Sequence, residues 1–326
     1  FERKPAYVYS IEIGDIIEKE LDAVTKLGFG AEFSRELCLP FHTEGAIKFP
    51  NQAQFDPIKF INGIARGLHI FENTFVEKLS RNTAKTKYGT ITADKIIVAT
   101  HYPMINLAGL YSAKMYQERS YVIALKDAGY VDGMYLDAAK NGMSFRNYKE
   151  FLLVGGGGHR TGRDGGGWQV LRDFSEKKYP GAREVYSWAA QDCISLDKIP
   201  YIGLLSGLLH EVYVATGFNK WGMTSSMVSA SILADMVTGT TNSFAPVFCP
   251  GRSMIKKQLS ANLLMAAADL ASFGAKRCPH LGCALKWNHL EKTWDCPCHG
   301  SRFTRTGELL DNPAKRGIKI THPFSH

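Results

Sequence analysis

The stretch Cys278-Pro-His-Leu-Gly-Cys283, a short insert, then Cys296-Pro-Cys-His-Gly-Ser-Arg-Phe303 decides how the chain is read. Four of the seven cysteines fall in it, in two clusters that each carry a histidine. Cys278-x-His280, fifteen intervening residues, then Cys296-x-x-His299 offers one thiolate and one imidazole from each cluster. A metal site follows. Two thiolates and two imidazoles suit a [2Fe-2S] centre with both sulfurs on one iron and both nitrogens on the other. A structural zinc ion takes the same donors. Zinc sites more often pair like ligands, and zinc leaves Cys283 and Cys298 unexplained, so the iron-sulfur reading is preferred.

The paired loops, C-x-H-x-G-C and C-x-C-H-G-S, resemble those of the Rieske domain, specifically the branch with an inter-loop disulfide. The resemblance implies Cys278, His280, Cys296 and His299 as cluster ligands and a Cys283–Cys298 disulfide. It implies Ser301 as a hydrogen-bond partner of a cluster sulfur, and Asn312-Pro-Ala314 as the loop covering the cluster. It also implies a solvent-facing edge at His280 and His299. Phe303 departs from the tyrosine of high-potential members. One hydrogen bond is lost, and weaker hydrogen bonding to the sulfurs lowers the potential.

A chain of 326 residues, 45% hydrophobic and 21% charged, buries a sizeable core in about two domains. No apolar run reaches the length of a membrane span, and the longest candidate, 259–270, contains Asn262 and Asp269. A cytoplasmic location is the default, with no transmembrane segment. The net charge of +8 is dispersed, without basic runs or aromatic interleaving, which argues against nucleic acid. It suits an anionic cofactor, a carboxylate substrate or an acidic redox partner, and equally a plain solvated surface. Cys38, Cys193 and Cys249 are scattered and read as buried apolar or inert. A disulfide in the cytosol is unusual unless it is shielded.

Helical spacing predicts helices over 11–27 and 57–66. Short strands are expected at 69–74, 76–79, 83–88 and 89–94, leading into a fully buried strand at 95–100. Further strands are expected at 118–126, 142–146 and 151–155, the last running into the glycine run 155–158, whose plain reading is a flexible loop. The strand 211–216 is followed by Gly217-Phe-Asn-Lys-Trp-Gly-Met-Thr224 and a helix over 225–237. Strand, glycine turn, helix aims backbone N–H groups and a helix N-terminus at a ligand carrying negative charge. The mixture of βα units and antiparallel strands points to an α+β class.

Residues 1–240 resemble the later two-thirds of the D-amino-acid-oxidase-like FAD-dependent oxidoreductases, which include glycine and sarcosine oxidases. The residues that carry this are Val98-Ala-Thr100 with His101-Tyr102-Pro103, Ser144-Phe-Arg146 to Gly155-Gly156, Asp197-x-x-Pro-x-Ile-Gly203 and Gly217 to Thr224. The resemblance implies FAD contacts at Val76, Ala99, Thr100, Gly203, Gly217, Phe218, Trp221, Gly222, Met223 and Thr224, with Arg146 pairing a substrate carboxylate. A subset of that family carries a C-terminal Rieske domain. Such proteins open with a Gly-x-Gly-x-x-Gly βαβ unit, which this sequence lacks, so its FAD-binding part reads as N-terminally incomplete.

The expected organisation is therefore an FAD-dependent oxidoreductase domain at 1–240, a linker and helix at 241–273 with the helix over 253–273, and a small all-β Rieske domain at 274–326. The strands usually found before the first ligand loop have no room, and closing strands are expected within 308–320. The expected function is oxidation of a small amine or amino acid by the flavin. Electrons would then pass through the [2Fe-2S] cluster to an external acceptor, a redox protein or a quinone. The alternative is a non-enzymatic electron carrier on a flavin-less scaffold.

Overall fold

Along Met115–Lys126 burial alternates, with Met115, Gln117, Arg119, Tyr121, Ile123 and Leu125 turned inward. Period-two burial is what a half-covered strand requires, yet two of the inward residues, Gln117 and Arg119, are polar. In this computed structural model the described residues are 1–105, 109–140, 142–253, 257–272 and 276–320. They divide into two units: Phe1–Leu68, Ser120–His159 and Gly165–Ala190 in the first, and His69–Arg119, Arg160–Asp164 and Gln191–His326 in the second.

The first unit holds most of an eight-stranded mixed sheet. Its order is Arg183–Ser195, Met115–Lys126, Phe151–Arg160, Ser144–Tyr148, Met134–Asp137, Ala6–Ser10, Gly45–Phe49 and Glu32–Ser34. Met134–Asp137 and Ala6–Ser10 run parallel, and the neighbouring pairs are antiparallel. Tyr9, Tyr121, Ile123, Phe145, Leu152 and Val154 form its core, closed by Leu171 of the helix Gly167–Lys178.

Two expectations change in this unit. The first helix is Ile16–Lys26, not 11–27: Ile11 and Ile13 are exposed, so the apolar period there has nothing to pack on. The glycine run is not a flexible loop but lies inside the strand Phe151–Arg160. Gly157 has φ +61°, and a Cβ there would stand 2.2 Å from the Gly167 carbonyl oxygen, so the glycine admits the helix start that follows. The second helix, Pro57–Ile64, begins on an Asp56 side chain that accepts from the N–H groups of Ile58 and Lys59.

The second unit contains the three-stranded sheet Tyr201–Leu204, Val212–Thr216, Ile96–Val98, in that order. Val212–Thr216 is antiparallel to the first and parallel to the last. All five residues of Val212–Thr216 are buried, but Ile97 is 49% exposed, so Ile96–Val98 is not the fully buried strand expected. Residues 69–74 form no strand, whereas Val76–Leu79, Thr83–Thr86 and Gly89–Thr92 make an antiparallel meander.

The helix Gly222–Thr238 follows the central strand and stops at Gly239, φ +79°, where the Thr240 N–H returns to the Asp235 carbonyl. A further helix, Lys257–Ala271, lies within the expected 253–273; residues 254–256 and 273 fall outside the described part. The last sheet is a four-stranded antiparallel meander, Lys286–Asn288, Thr293–Asp295, Arg302–Phe303 and Leu309–Asp311. Among the described residues no strand of this sheet precedes Cys278; only an isolated bridge, Arg277 to Ala284, lies beside the first ligand loop. The architecture is thus mixed helix and sheet, with a small β domain at its C-terminal end.

Candidate metal centre and flavin site

The two Cys/His loops are held by their own backbones. In the first, the Cys278 N–H donates to the Cys283 carbonyl and the Gly282 N–H to the Cys278 carbonyl. In the second, the Cys296 N–H donates to the Ser301 carbonyl and the Gly300 N–H to the Cys296 carbonyl. Gly282 and Gly300 close these turns with φ of +80° and +83°. A disulfide joins the loops through Cys283 and Cys298.

The sulfurs of Cys283, Cys296 and Cys298 and a ring nitrogen of His299 lie within 4.8 Å of one another. The disulfide leaves Cys283 and Cys298 no thiolate to offer, so Cys296 and His299 are the donors of that group. Cys278 stands at hydrogen-bond distance from Cys296, and the His280 ring is 4.9 Å from that of His299, perpendicular to it. The four expected ligands therefore converge on one place, buried at Cys278, Cys296 and His299 and half-buried at His280.

Their protonation suits metal binding. A hydrogen bond from the Cys296 thiol, the backbone N–H groups of His280 and Leu281 and the Ser301 hydroxyl bring Cys278 down to about 7, against the opposing effect of burial. Burial, with the Lys315 charge, lowers His280 to about 4; burial, with the neighbouring His280, lowers His299 to about 3. Both imidazoles are neutral at pH 7, as ligands must be. His299 is 4% exposed and is hydrogen-bonded to the backbone of Ser112, while its Nδ1 is buried without a hydrogen-bond partner. A backbone bond on one ring nitrogen fixes the tautomer and leaves the other nitrogen's lone pair for a metal. By this test the residues fit a cluster with two thiolate and two imidazole ligands.

Ser301 Oγ also accepts from the Ala314 N–H at 2.9 Å, which ties the covering segment 312–314 over the second loop. Phe303 is fully buried in the domain core with Leu285, Trp294 and the cysteines. The expectation of a solvent-facing histidine edge fails at His299, which is buried, whereas His280 is half-buried. The Tyr102 ring stands 6.4 Å from the rings of both His280 and His299, and Tyr102 is completely buried.

The expected flavin residues lie in the second unit. Val76 opens its strand, and Ala99 and Thr100 follow Ile96–Val98 on the exposed side. Gly203 has φ +139° and faces Pro250. Gly217 has φ +72°, with Met115 Sδ 3.3 Å from where a Cβ would be, so a side chain in the turn after Val212–Thr216 would be strained and would press on Met115. Gly222 begins the helix Gly222–Thr238, and no side chain caps it, which leaves the first N–H groups of Gly222, Met223 and Thr224 for a ligand. Phe218, Trp221 and Thr224 line a cavity of about 220 Å³ with Lys198, Ile202 and Phe248. This open, glycine-built helix start fits a cofactor that carries negative charge.

Arg146 lies on Ser144–Tyr148 in the first unit, where burial lowers its pKa. Among the described residues no carboxylate pairs with it. Sequence reasoning missed Gln117 and Gln191, whose side chains reach the ligand loops. A glutamine in an alternating strand carries no signal that it faces inward.

Residues 8–236 match the family described as FAD dependent oxidoreductase, and residues 268–322 the Rieske [2Fe-2S] domain. The protein YhfW of Bacillus subtilis (strain 168), provisionally named a Rieske 2Fe-2S iron-sulfur protein, is 32% identical over an alignment covering 96% of this chain and 74% of the relative. That alignment has 376 positions against a chain of 326, so at least 50 positions of the relative have no counterpart here. Iron-sulfur subunit 2 of the cytochrome b6-f complex of Trichormus variabilis is 44% identical over 45 residues, 14% of this chain and 25% of that protein. Among solved structures, glycine oxidase from Geobacillus kaustophilus has the same fold, with a TM-score of 0.61 at 18% identity over 77% of this chain and 75% of that one. No described helix is long and apolar enough to cross a membrane.

Proposed function

Because the chain belongs to the FAD-dependent oxidoreductase family and ends in a Rieske [2Fe-2S] domain, we propose that it oxidises a small amino acid or amine and passes the electrons through the cluster to an external acceptor. The carrying observation is the convergence of two thiols and two neutral imidazoles, one nitrogen of which is buried without a partner. When bound, FAD supplies two-electron chemistry at the substrate and the cluster one-electron transfer.

The chain's own residues would do the rest. Cys278 and Cys296 would hold one iron, His280 and His299 the other, and the Cys283–Cys298 disulfide would fix the distance between the loops. Val76, Ala99, Thr100, Gly203 and 217–224 would hold FAD, the Gly222 helix start facing negative charge. Arg146 would bind a substrate carboxylate, since a planar guanidinium takes both oxygens. The acceptor would be a one-electron carrier protein or a quinone, and the setting cytoplasmic. In this reading the FAD domain covers 1–240, the linker and helix 241–273, and the Rieske domain 274–326.

The test is an iron, zinc and flavin assay with a low-temperature EPR spectrum of the dithionite-reduced protein. About two irons per chain and a Rieske-type signal are expected. Zinc in place of iron would sink the relay.

A further inference from the structure

Within the second unit, the ligand loops are bound to residues of the flavin domain through a chain of side-chain amides, with buried Gln117 at its centre. Gln117 Nε2 donates to the His299 carbonyl at 2.6 Å and to the Asn312 carbonyl at 3.4 Å, and Gln117 is 1% exposed. Gln191 Nε2 donates to the Gly300 carbonyl and to Gln117 Oε1, each at 2.8 Å. Asn312 Nδ2 donates to the Thr100 carbonyl at 3.1 Å and the Tyr102 carbonyl at 3.4 Å. A Cβ on Gly300 would come within 2.6 Å of Gln117, so the second loop lies flush against that side chain. A network of amide hydrogen bonds of this kind fixes one arrangement of the loops.

Inside the network stands Tyr102, whose ring meets the two imidazoles at interplanar angles of 79° and 67°. Edge-on contact at such centroid distances is the favoured aromatic geometry. The turn that carries it, 99–103, also holds Ala99 and Thr100, the residues expected to line the flavin channel.

We propose that Tyr102 is the positioning residue of the His280/His299 pair, and that the imidazole edge is docked permanently on the chain's own 99–103 turn. At His299 that edge is then an internal face between the cluster loops and the flavin-side turn, while His280 is half-buried. The proposal rests on the reading of the site as a [2Fe-2S] centre. Residues around metal-bound imidazoles set their orientation and their access to solvent, so both quantities report on Tyr102.

The experiment uses the full chain as purified. Carbethoxylation of each histidine by diethyl pyrocarbonate is followed by peptide mass spectrometry, beside the EPR spectrum of the reduced protein. His42, with an 83% exposed side chain, is the internal reference. In the wild type, His299 should react at least tenfold more slowly than His42. Tyr102→Phe keeps the ring and should match the wild type in both readouts. Tyr102→Leu should speed the His299 reaction at least tenfold and broaden the EPR lines. Asn312→Ala, which leaves the core intact, should speed it severalfold and stands in if Tyr102→Leu fails to fold. Wild-type reaction at His299 as fast as at His42, or no acceleration in Tyr102→Leu and Asn312→Ala, overturns the proposal. Absence of an iron signal in the wild type overturns the cluster reading instead, and the protection of His299 in that protein still decides whether Tyr102 packs on it.

Discussion

Arg302→Met should destabilise the C-terminal β domain by about 3–5 kcal/mol, the range for removing one partner of a buried ion pair. The Arg302 side chain is 7% exposed and donates to Glu291 at 2.7 Å, Asp311 at 3.0 Å and Asp295 at 3.1 Å. These anions do not suffer equally. Glu291 keeps Arg119, whose Nε donates to it at 2.9 Å, and Asp311 is 38% exposed and can hydrate. Asp295 is fully buried and, among the described residues, keeps neutral partners, Thr293 Oγ1 at 2.8 Å and Asn288 Nδ2 at 2.9 Å. One uncompensated buried carboxylate sets the magnitude.

Native-state hydrogen exchange on the full chain reads this locally. At about 1.4 kcal/mol per decade, amides of Thr293–Asp295 and Arg302–Phe303 should lose about two to three and a half decades of protection. Lys19→Ala, which breaks an exposed pair with Asp15, should leave the same amides unchanged. Arg302→Met combined with Asp295→Asn should recover most of the loss, because the amide needs no counter-charge. A change below about threefold in Arg302→Met would refute the electrostatic account. Failure of the double variant to recover would assign the cost to packing.

Four further outcomes are expected. Cys278→Ser and His299→Ala should each abolish the reduced-state EPR signal, while Cys38→Ser, at an exposed cysteine, keeps it. Gly157→Ala should cut soluble yield sharply, since it combines a left-handed backbone, about 1–2 kcal/mol, with a clash on the Gly167 carbonyl. Arg146→Lys should raise KM for a carboxylate substrate about tenfold or more with a smaller change in kcat, because a point charge replaces a bidentate fork. Metal-free protein should lose stability as pH falls from 7 towards 4. His280 and His299, held down to about 4 and 3 by burial, stay neutral in the folded chain, while unfolded histidines protonate near 6.5. The stability is therefore present above about 6.5 and lost on acidification, and urea midpoints of apo protein at pH 7, 6 and 5 should fall in that order, with bound iron flattening the trend.

The site was legible where chemistry is local in sequence. The ligand loops are two turns of six residues each, and their Cys, His and Gly spacing states both the donors and the backbone that aims them. The strand, glycine turn and helix at 212–238 were legible for the same reason, since Gly217 and Gly239 punctuate them. The first helix was misjudged at its start because Ile11 and Ile13 continue an apolar period past Gly14 and Asp15, and periodicity does not say whether a partner surface exists.

What the sequence could not carry is contact between distant segments. Glycines 155–158 read as a flexible loop because a run of four suggests freedom, whereas in the sheet Gly157 provides clearance for Gly167. The histidine edge was expected in solvent because nothing near Cys278 or Cys296 in sequence announces Tyr102, 176 positions before Cys278, or Gln117 in the middle of a strand. Gln117 and Arg119 occupy inward positions on Met115–Lys126 where an isolated strand would place apolar residues. A buried polar group is tolerated only when it is satisfied, and here the partners are the His299 and Asn312 carbonyls and Gln191 for one, Glu291 for the other. The break in the strand's apolar alternation is thus the local trace of a long-range contact: two polar residues face inward because the metal-binding domain supplies what they bond.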